Sequence, residues 1–464
     1  MSEAATRFWG RSPAIAGDAL VPPRNLILPA WPVYLLFAGF PVFWVLGLGA
    51  FAPVICSIPM AALMYARKKV SIPIGLAFWV LFVMMVVVAV VQIDDPLRLV
   101  GYGVRFSNYL GATILFLYVY NVRPDEMPTR KALLALAVFF GFVVVGGWLG
   151  VLWPGMRLTT PTSLILPGAI SSNDYVGVLV RPPFAEVQKP YGAPEAFSRP
   201  SAPFAYTNGW GCNVALLVPC MAALLMTLRR RGKTFLLIVM ALATVPAFAT
   251  LNRGMYLAIS VGVAYAAFRF AIRGRLGPLI WVLTAAALGI GFALASGVAA
   301  SLEQRLQYSQ TNVSRTTIYA EAFQGAVDSP LFGNGAPRPS QTLNISVGTQ
   351  GQIWNVMFSY GFLALFFFLA WFGWLAFASR RWETGMDLWM HVCLVVCFMT
   401  VFYYGYDGPQ LETVMLIGAL AVRRVRPQPQ REAEPPDPRP KPTDSRVVPP
   451  APRTTIDAEG PIPK

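Results

Sequence analysis

Four polar segments interrupt an otherwise apolar chain, and three of them contain an arginine. Arg199 lies in RPSAPFAYTNGWG, Arg253 lies in LNRGMY, and Arg315 begins the polar stretch of residues 314–335. A guanidinium group is planar, stays protonated, and makes two parallel hydrogen bonds to the oxygens of a phosphate or carboxylate. The chemistry available to these segments is therefore the binding of an anionic group.

The elements that must position these arginines are membrane helices. Hydrophobic residues make up 56% of the 464 residues and charged residues only 13%, and the apolar residues form long runs. Such runs satisfy their backbone hydrogen bonds within lipid only as helices, and they lack the alternating pattern of outer-membrane strands. We expect an all-α, polytopic integral membrane protein.

Hydropathy predicts about twelve transmembrane helices, with boundaries uncertain by a few residues. The predicted spans are residues 31–49, 50–66, 71–92, 106–122, 132–153, 209–228, 234–250, 254–271, 278–297, 351–378, 388–405 and 411–423.

Clusters of lysine and arginine follow alternate spans, which places all of them on one side of the membrane. These residues are Arg67, Lys68, Lys69, Arg123, Arg130, Lys131, Arg229, Arg230, Arg231, Lys233, Arg273, Arg275, Arg380, Arg381, Arg423, Arg424 and Arg426. Positive residues are retained in the cytoplasm, so both termini are expected there. Topology also explains the net charge of +15 without nucleic acid as a partner.

The domain organisation follows from these spans. Residues 1–30 form a cytoplasmic leader, residues 31–423 a twelve-helix membrane domain, and residues 424–464 a Pro-rich cytoplasmic tail expected to be disordered. The opposite face carries two long outer loops, residues 154–208 and 298–350, and an acidic connection, residues 93–105. Residues 314–327 are patterned as a helix that ends before a Gly333-Asn334-Gly335 turn.

Titratable and thiol groups within the predicted spans are few. No predicted span has a central Asp, Glu, Lys or Arg, which disfavours a transporter. His391, the only histidine, lies near the cytoplasmic end of its span, where we expect its hydrogen bonds to be satisfied. The cysteines lack metal-ligand spacing and are expected to be core residues. They are Cys56, Cys212, Cys220, Cys393 and Cys397.

A fourth polar segment, residues 348–363, runs from Gly348-Thr-Gln350 through Trp354 and Asn355 to Ser359-Tyr-Gly361. In this order and on this topology, the four segments resemble those of the O-antigen ligase and polymerase family of bacterial envelope enzymes. The resemblance covers about residues 195–375.

The resemblance implies a metal-independent, inverting glycosyltransferase that needs no cofactor. Such an enzyme moves a glycan from a polyprenyl diphosphate carrier to a glycan or lipid acceptor on the outer face of the bacterial cytoplasmic membrane. Its expected partners are the lipid-linked donor, the acceptor, membrane lipids and envelope-assembly proteins. No metal ligand is expected.

The same resemblance implies roles for individual residues. Arg253 is expected to bind the diphosphate, with lipid phosphates at the interface as the alternative. Arg199 is expected to contact the diphosphate or the glycan, and Arg315 to act in catalysis; structural pairing within a loop is the alternative for both. Asn208 is expected either to contact substrate or to be a cap or turn residue at the start of the sixth span. Gln350 occupies the place of the family's histidine, the proposed base for the acceptor hydroxyl.

A glutamine amide cannot accept a proton near neutral pH, so Gln350 can only orient the acceptor. The outward carboxylates that can replace the base are Glu321, Asp328, Asp174 and Glu186, and the sequence does not select among them. Another possibility is a loose transition state that needs only positioning and phosphate stabilisation. Ligase and polymerase activities both remain open.

Two other function classes stay open. One is a transporter or flippase of a lipid-linked or soluble substrate. The other is a non-catalytic relative that serves in a glycan-assembly complex.

Overall fold

The computed structural model describes residues 27–67, 69–167, 174–188, 196–295, 311–340, 343, 346–406 and 408–425; the side chains of residues 174, 175, 188, 292, 293, 311–315 and 425 are outside this description. Most of the predicted leader and tail therefore lies outside the described residues. The chain divides into one unit from Met1 to Arg424 and a second from Val425 to Lys464. The first unit contains the fold described below.

The described part of the chain is mostly helical. Its helices are α1 (Trp31–Ala38), α2 (Phe40–Leu46), α3 (Ala52–Arg67), α4 (Leu76–Val88), α5 (Pro96–Asn121), α6 (Thr129–Leu152), α7 (Pro161–Ile165), α8 (Asp174–Val180), α9 (Thr207–Leu225), α10 (Arg230–Leu242), α11 (Thr244–Ala249), α12 (Arg253–Ala271), α13 (Leu276–Ala295), α14 (Thr311–Asp328), α15 (Gln352–Ala378), α16 (Gly385–Thr400) and α17 (Pro409–Val425). Short 3-10 turns at Gly49–Phe51 and Ala89–Gln92 extend α3 and α4.

Two small antiparallel hairpins complete the secondary structure of the described residues. Strand β1 (Ala185–Gln188) pairs with β2 (Phe197–Pro200), and β3 (Arg338–Pro339) pairs with β4 (Ser346–Val347). Both hairpins lie in the two long predicted outer loops. Hydropathy gave no signal for them.

Six helical segments of the described chain are long and apolar enough to cross a membrane. They are Gly49–Arg67, Thr129–Leu152, Thr207–Leu225, Arg230–Ala249, Arg253–Ala271 and Gln352–Ala378. Three shorter apolar helices add to them: Leu76–Gln92, Leu276–Gly291 and Gly385–Thr400. This confirms the class of helical membrane protein. Each of the twelve predicted spans coincides with helix, but the number of spans and the sides of the termini stay predictions.

The packing centres on α9 and α15. Helix α9 is buried along most of its length and packs against α6, α12 and α16, while α15 packs against α4, α14 and α16. Aromatic side chains fill the contact between α4 and α15. The ring centroid of Trp79 on α4 lies 6.2 Å from that of Phe368 and 6.1 Å from that of Trp371, both on α15. These two helices carry the first and fourth polar segments into the core.

A break divides α15 near its first third. Gly361 has φ 85° and ψ 176°, a conformation open almost only to glycine, and it interrupts the helical hydrogen bonds. The turn at residues 333–335 fills the break: the backbone N–H of Asn334 donates to the carbonyl of Phe358 (2.9 Å), and that of Gly335 donates to Ser359 (2.8 Å). The carbonyl of Pro330 in turn accepts from the N–H of Phe362 (2.8 Å). The predicted helix at residues 314–327 and the predicted turn at residues 333–335 are both present, and the turn supplies hydrogen-bond partners for the backbone at the break.

Arg98 holds this turn from the first turn of α5. Its guanidinium donates to the carbonyls of Asn334 (2.6 Å), Ala336 and Pro337 (3.3 Å), and it forms an ion pair with Asp94. The hydrogen bond from Arg98 lowers the pKa of the exposed Asp94 carboxyl group. Arg98 thus joins α5 to the second long predicted outer loop across more than 230 residues of sequence.

Two expectations about thiols and the histidine are confirmed. All five cysteines are buried and free of disulfides. His391 is buried, with Nε2 2.8 Å from the hydroxyl of Tyr265 and Nδ1 2.8 Å from the Oγ of Ser379. Both ring nitrogens have partners, as expected of a structural histidine.

The predicted start of the span at residues 106–122 needs correction. Asp95 caps α5 through a 2.9 Å hydrogen bond to the N–H of Leu97, with Pro96 as the first helical residue, so this helix begins about ten residues before the predicted span. Arg105, predicted to lie in a connection, is therefore inside the helix and buried. Glu412, in the first turn of α17, is also fully buried.

Candidate functional site

The first polar segment is held by the hairpin of β1 and β2. Arg199 lies on β2, directly opposite Glu186 on β1. Its side chain is buried, and its Nε donates to the carbonyl of Thr250 at 2.8 Å. Thr207, at the start of α9, donates its hydroxyl to the carbonyl of Arg199 at 3.2 Å. Arg199 thus joins the first segment to the end of α11.

The second polar segment is a tight turn between α11 and α12. Leu251 adopts φ 48°, the left-handed conformation that closes such turns. Asn252 is buried: its Nδ2 donates to the carbonyl of Thr207 (3.4 Å), and its Oδ1 accepts from the hydroxyl of Tyr404 (2.5 Å). Arg253 follows as the first residue of α12 and is exposed. The turn therefore presents Arg253 at the protein surface.

Asn208 is the second residue of α9 and is partly exposed. The prediction that it caps this helix is wrong, because the capping position is occupied by Tyr206, whose side chain makes no capping hydrogen bond. The carboxylate of Glu186 accepts from the N–H of Thr207 at 3.3 Å instead. A negative charge at a helix N-terminus is favourable, which explains why the carboxylate of Glu186 accepts this hydrogen bond. The alternative role of Asn208, substrate contact, stays a prediction.

The fourth segment is held by a buried glutamine two residues after Gln350. Gln352 donates its Nε2 to the hydroxyl of Tyr109 (2.8 Å), and its Oε1 accepts from the N–H of Tyr406 (2.7 Å). Its own N–H donates to the carbonyl of Tyr404 at 2.8 Å. Gln350 itself is partly exposed. Its side chain is therefore available to a ligand, whereas that of Gln352 is structural.

The third segment reaches the fourth through α14. The hydroxyl of Tyr319 donates to the carbonyl of Gln350 at 3.1 Å, and the Tyr319 ring stacks on Trp354 with centroids 4.2 Å apart. Arg315 lies on α14, four residues before Tyr319. Its side chain lies outside the described residues. The expected contact of Arg315 with substrate stays a prediction.

These hydrogen bonds connect all four segments. Arg199 of the first segment donates to Thr250, and Asn252 of the second segment donates to Thr207 of the first. Tyr404 donates to Asn252 and accepts from Gln352 of the fourth segment. Tyr319 of the third segment donates to Gln350, two residues before Gln352. The segments are separated by up to 150 residues in sequence. Sequence reasoning named the arginines and Gln350 but missed Asn252, Tyr404 and Gln352, whose only signal is a polar or hydroxyl group within apolar surroundings.

Several helices begin at this connected region. Helices α9, α12 and α15 start at Thr207, Arg253 and Gln352, each of which takes part in these hydrogen bonds or directly follows a residue that does. Helix α17 starts nearby, since Gln410 in its first turn donates to the carbonyl of Gly405 at 3.4 Å. Each helix N-terminus carries a partial positive charge. Together with Arg253 they make this end of the helices favourable for an anion.

The four candidate carboxylates are separated by the structure. Glu186 lies in the connected region through its bond to Thr207. Glu321 accepts from the Oγ of Ser340 at 2.6 Å, and Asp328 is an exposed residue that accepts from Gln324 at 3.0 Å. The side chain of Asp174 lies outside the described residues. Among the other three, Glu186 is the one that lies opposite Arg199 and accepts from the start of α9.

No three His, Cys, Asp or Glu side chains of the described chain are grouped to hold a metal ion. A scan against protein-family models finds no match for this chain, and a search of curated proteins finds none either. The likeness to the O-antigen ligase and polymerase family therefore stays a resemblance of the four segments.

Proposed function

We propose that this protein is an envelope glycan ligase or polymerase that transfers a glycan from a polyprenyl diphosphate carrier to a glycan or lipid acceptor. The supporting observation is the convergence of all four polar segments through one set of hydrogen bonds, with Arg253 exposed beside it. A metal-independent, inverting glycosyltransferase needs such a cationic region beside its leaving group.

The proposed frame has twelve transmembrane spans, both termini in the cytoplasm, and its reactive region on the outer face of the bacterial cytoplasmic membrane. The coincidence of every predicted span with helix supports it. The connected region lies at the helix ends opposite the basic clusters, where a lipid diphosphate at the outer interface would meet it. Membrane lipids are then partners, and nucleic acid is not.

The leaving diphosphate is stabilised by Arg253, with Arg199 and Arg315 as further candidates. Positive charge placed where negative charge develops lowers the barrier, typically by about 3–4 kcal/mol for one well-placed donor. Arg199 is held rigidly by Thr250 and so fixes the geometry of the region. The helix N-termini at Thr207 and Gln352 add to the positive potential.

Glu186 is the proposed general base. The acceptor hydroxyl attacks the anomeric carbon, the bond from that carbon to the diphosphate breaks with its electron pair, and the hydroxyl proton passes to the Glu186 carboxylate. Gln350, at the place of the family's histidine, orients the hydroxyl through its amide. In this proposal Glu186 takes the role of the family's histidine as the base, and Gln350 does not have to accept a proton.

The test uses the purified full chain in proteoliposomes with a radiolabelled, polyprenyl-diphosphate-linked disaccharide as donor and envelope glycolipid extract as acceptor. Arg253→Ala is expected to lower the transfer rate by about two to three orders of magnitude. Arg230→Ala is the matched control, because Arg230 is also an exposed first residue of a helix but belongs to the opposite, cytoplasmic set. Wild-type rates in both Arg253→Ala and Arg315→Ala would refute the proposal.

A second candidate function is a transporter or flippase, which the buried Arg105 and Glu412 favour. Ionisable residues inside membrane segments usually mark a substrate or proton path. Both oxygens of Glu412 lack a hydrogen-bond partner among the described residues. The same proteoliposomes separate the candidates: movement of labelled donor across the bilayer with no glycan product would favour transport. Transfer by the single purified component would exclude a purely non-catalytic relative.

A further inference from the structure

A cleft lies beside the connected region, between the end of α6 and the β1–β2 hairpin. Backbone pairing joins these two segments: the N–H of Phe184 donates to the carbonyl of Met156 (2.9 Å), and the N–H of Leu158 donates to the carbonyl of Pro182 (3.0 Å). Its volume is about 290 Å³. Ligand pockets begin near this size, about 300 Å³, which suits a single sugar ring better than an extended chain.

The cleft combines apolar and charged groups in a way that matches a sugar. Tyr206 and Val187 line it, and they are 48% and 55% exposed, so the ring of Tyr206 is accessible from the cleft. Arg157 and Glu186 line it as well. A pyranose has an apolar face that packs on an aromatic ring and hydroxyl groups at its edge, which both donate to a carboxylate and accept from a guanidinium.

Glu186 places the cleft next to the proposed leaving-group region. Its carboxylate belongs to the lining and also accepts from the N–H of Thr207. The carbonyl of Thr207 accepts from Asn252, and Arg253 is the next residue. In an inverting displacement the attacking and leaving oxygens lie on opposite sides of the anomeric carbon. The cleft is thus connected to Arg253 through Glu186, Thr207 and Asn252, and the sugar that occupies it is assigned to the attacking side.

We propose that this cleft binds the terminal sugar of the acceptor, with Tyr206 packing on the ring face and Arg157 binding its hydroxyl groups. The proposal rests on the proposed function, whose reaction supplies the direction of attack. The acceptor hydroxyl forms the new bond to the anomeric carbon, its proton goes to Glu186, and the diphosphate departs with the electron pair of the broken bond. The occupant is a neutral or hydroxyl-rich glycan end rather than a lipid tail.

The test is saturation-transfer NMR on the full chain in nanodiscs, with the methyl glycosides of glucose, galactose, N-acetylglucosamine and rhamnose as probes. Wild-type protein is expected to saturate the protons on one ring face of at least one probe. Tyr206→Ala is expected to weaken that binding about tenfold, because it removes one aromatic contact. Tyr206 precedes α9 and its side chain makes no capping hydrogen bond to this helix.

Two controls separate ring packing from misfolding. Tyr206→Phe keeps the ring and is expected to keep binding, and Tyr65→Ala removes an exposed tyrosine of α3, outside the cleft. Equal binding by Tyr206→Ala and wild type, or no saturation of any probe by wild type, would overturn the sugar site. Loss of binding in Tyr206→Ala supports it even in protein that transfers no glycan. Absence of glycan transfer in such protein would contradict the proposed function and leave the sugar site supported.

Discussion

Replacing Gly361 by alanine tests whether the break in α15 and the turn that fills it form one unit. A Cβ atom at this position would lie 2.6 Å from the carbonyl oxygen of Pro330 and 2.7 Å from the carbonyl carbon of Leu331. Both are backbone atoms and cannot rotate away. The φ of 85° is also unfavourable for any residue with a side chain.

We expect Gly361→Ala to lower the free energy of unfolding by about 3 kcal/mol. Holding a residue other than glycine in this conformation costs about 1–3 kcal/mol. Displacing the turn also weakens its hydrogen bonds to Phe358, Ser359 and Phe362, each of which contributes about 1 kcal/mol. The measurement is equilibrium unfolding by sodium dodecyl sulfate in mixed micelles, followed by circular dichroism.

Gly373→Ala provides a matched control in the same helix. The nearest atom to a Cβ at Gly373 is Cε2 of Phe398 at 3.8 Å, an ordinary van der Waals contact. Alanine favours helix over glycine by about 0.5–1 kcal/mol, so this variant is expected to be as stable as wild type or slightly more so. If Gly361→Ala and Gly373→Ala unfold at the same denaturant concentration, the reasoning about the break is wrong.

Two further predictions concern the outer loop and the topology. Arg98→Gln is expected to lose about 2 kcal/mol of stability in the same unfolding assay, because three carbonyls lose a charged donor; Asp94→Asn removes only the exposed ion pair and is expected to change little. Cysteine placed at the exposed Thr349 is expected to react with a membrane-impermeant maleimide in intact cells, whereas cysteine at Asp125 is expected to react only after lysis. Background labelling is expected to be low because all native thiols are buried. Arg98→Gln with wild-type stability, or labelling of both cysteines from outside, would contradict these expectations.

The apolar runs predicted the helices well because lipid allows a spanning chain little other structure. The buried cysteines and the partnered His391 followed from the same pattern. The start of α5 was placed too late because hydropathy follows apolar residues only. Asp95-Pro96, a capping residue followed by proline at the first helical position, was the signal that locates it.

The candidate site was predictable in its residue types and less so in its contacts. Arginines in the polar segments indicate an anion site by chemistry alone, but Asn252, Tyr404 and Gln352 meet only after folding. The break at Gly361 was also hidden, since an isolated glycine in an apolar run is ordinary for a membrane helix. Its role depends on a turn about 30 residues earlier in the chain.

The selection of Glu186 over the other carboxylates depended on tertiary structure as well. In sequence it is one acidic residue in a Pro-rich loop. The β1–β2 register places it opposite Arg199, and the start of α9 takes its carboxylate as a partner. Neither pairing has a local sequence pattern that would reveal it.

The most direct test of the central claim is the affinity of the purified chain for polyprenyl diphosphate in nanodiscs. We expect Arg253→Gln to bind the lipid at least about tenfold more weakly than wild type. A hydrogen bond to a charged group contributes about 1.5–3 kcal/mol, and about 1.4 kcal/mol corresponds to a tenfold change in affinity. Arg230→Gln is expected to bind as wild type does. Equal affinities for wild type and Arg253→Gln would contradict an outer-face site for a lipid diphosphate at this arginine.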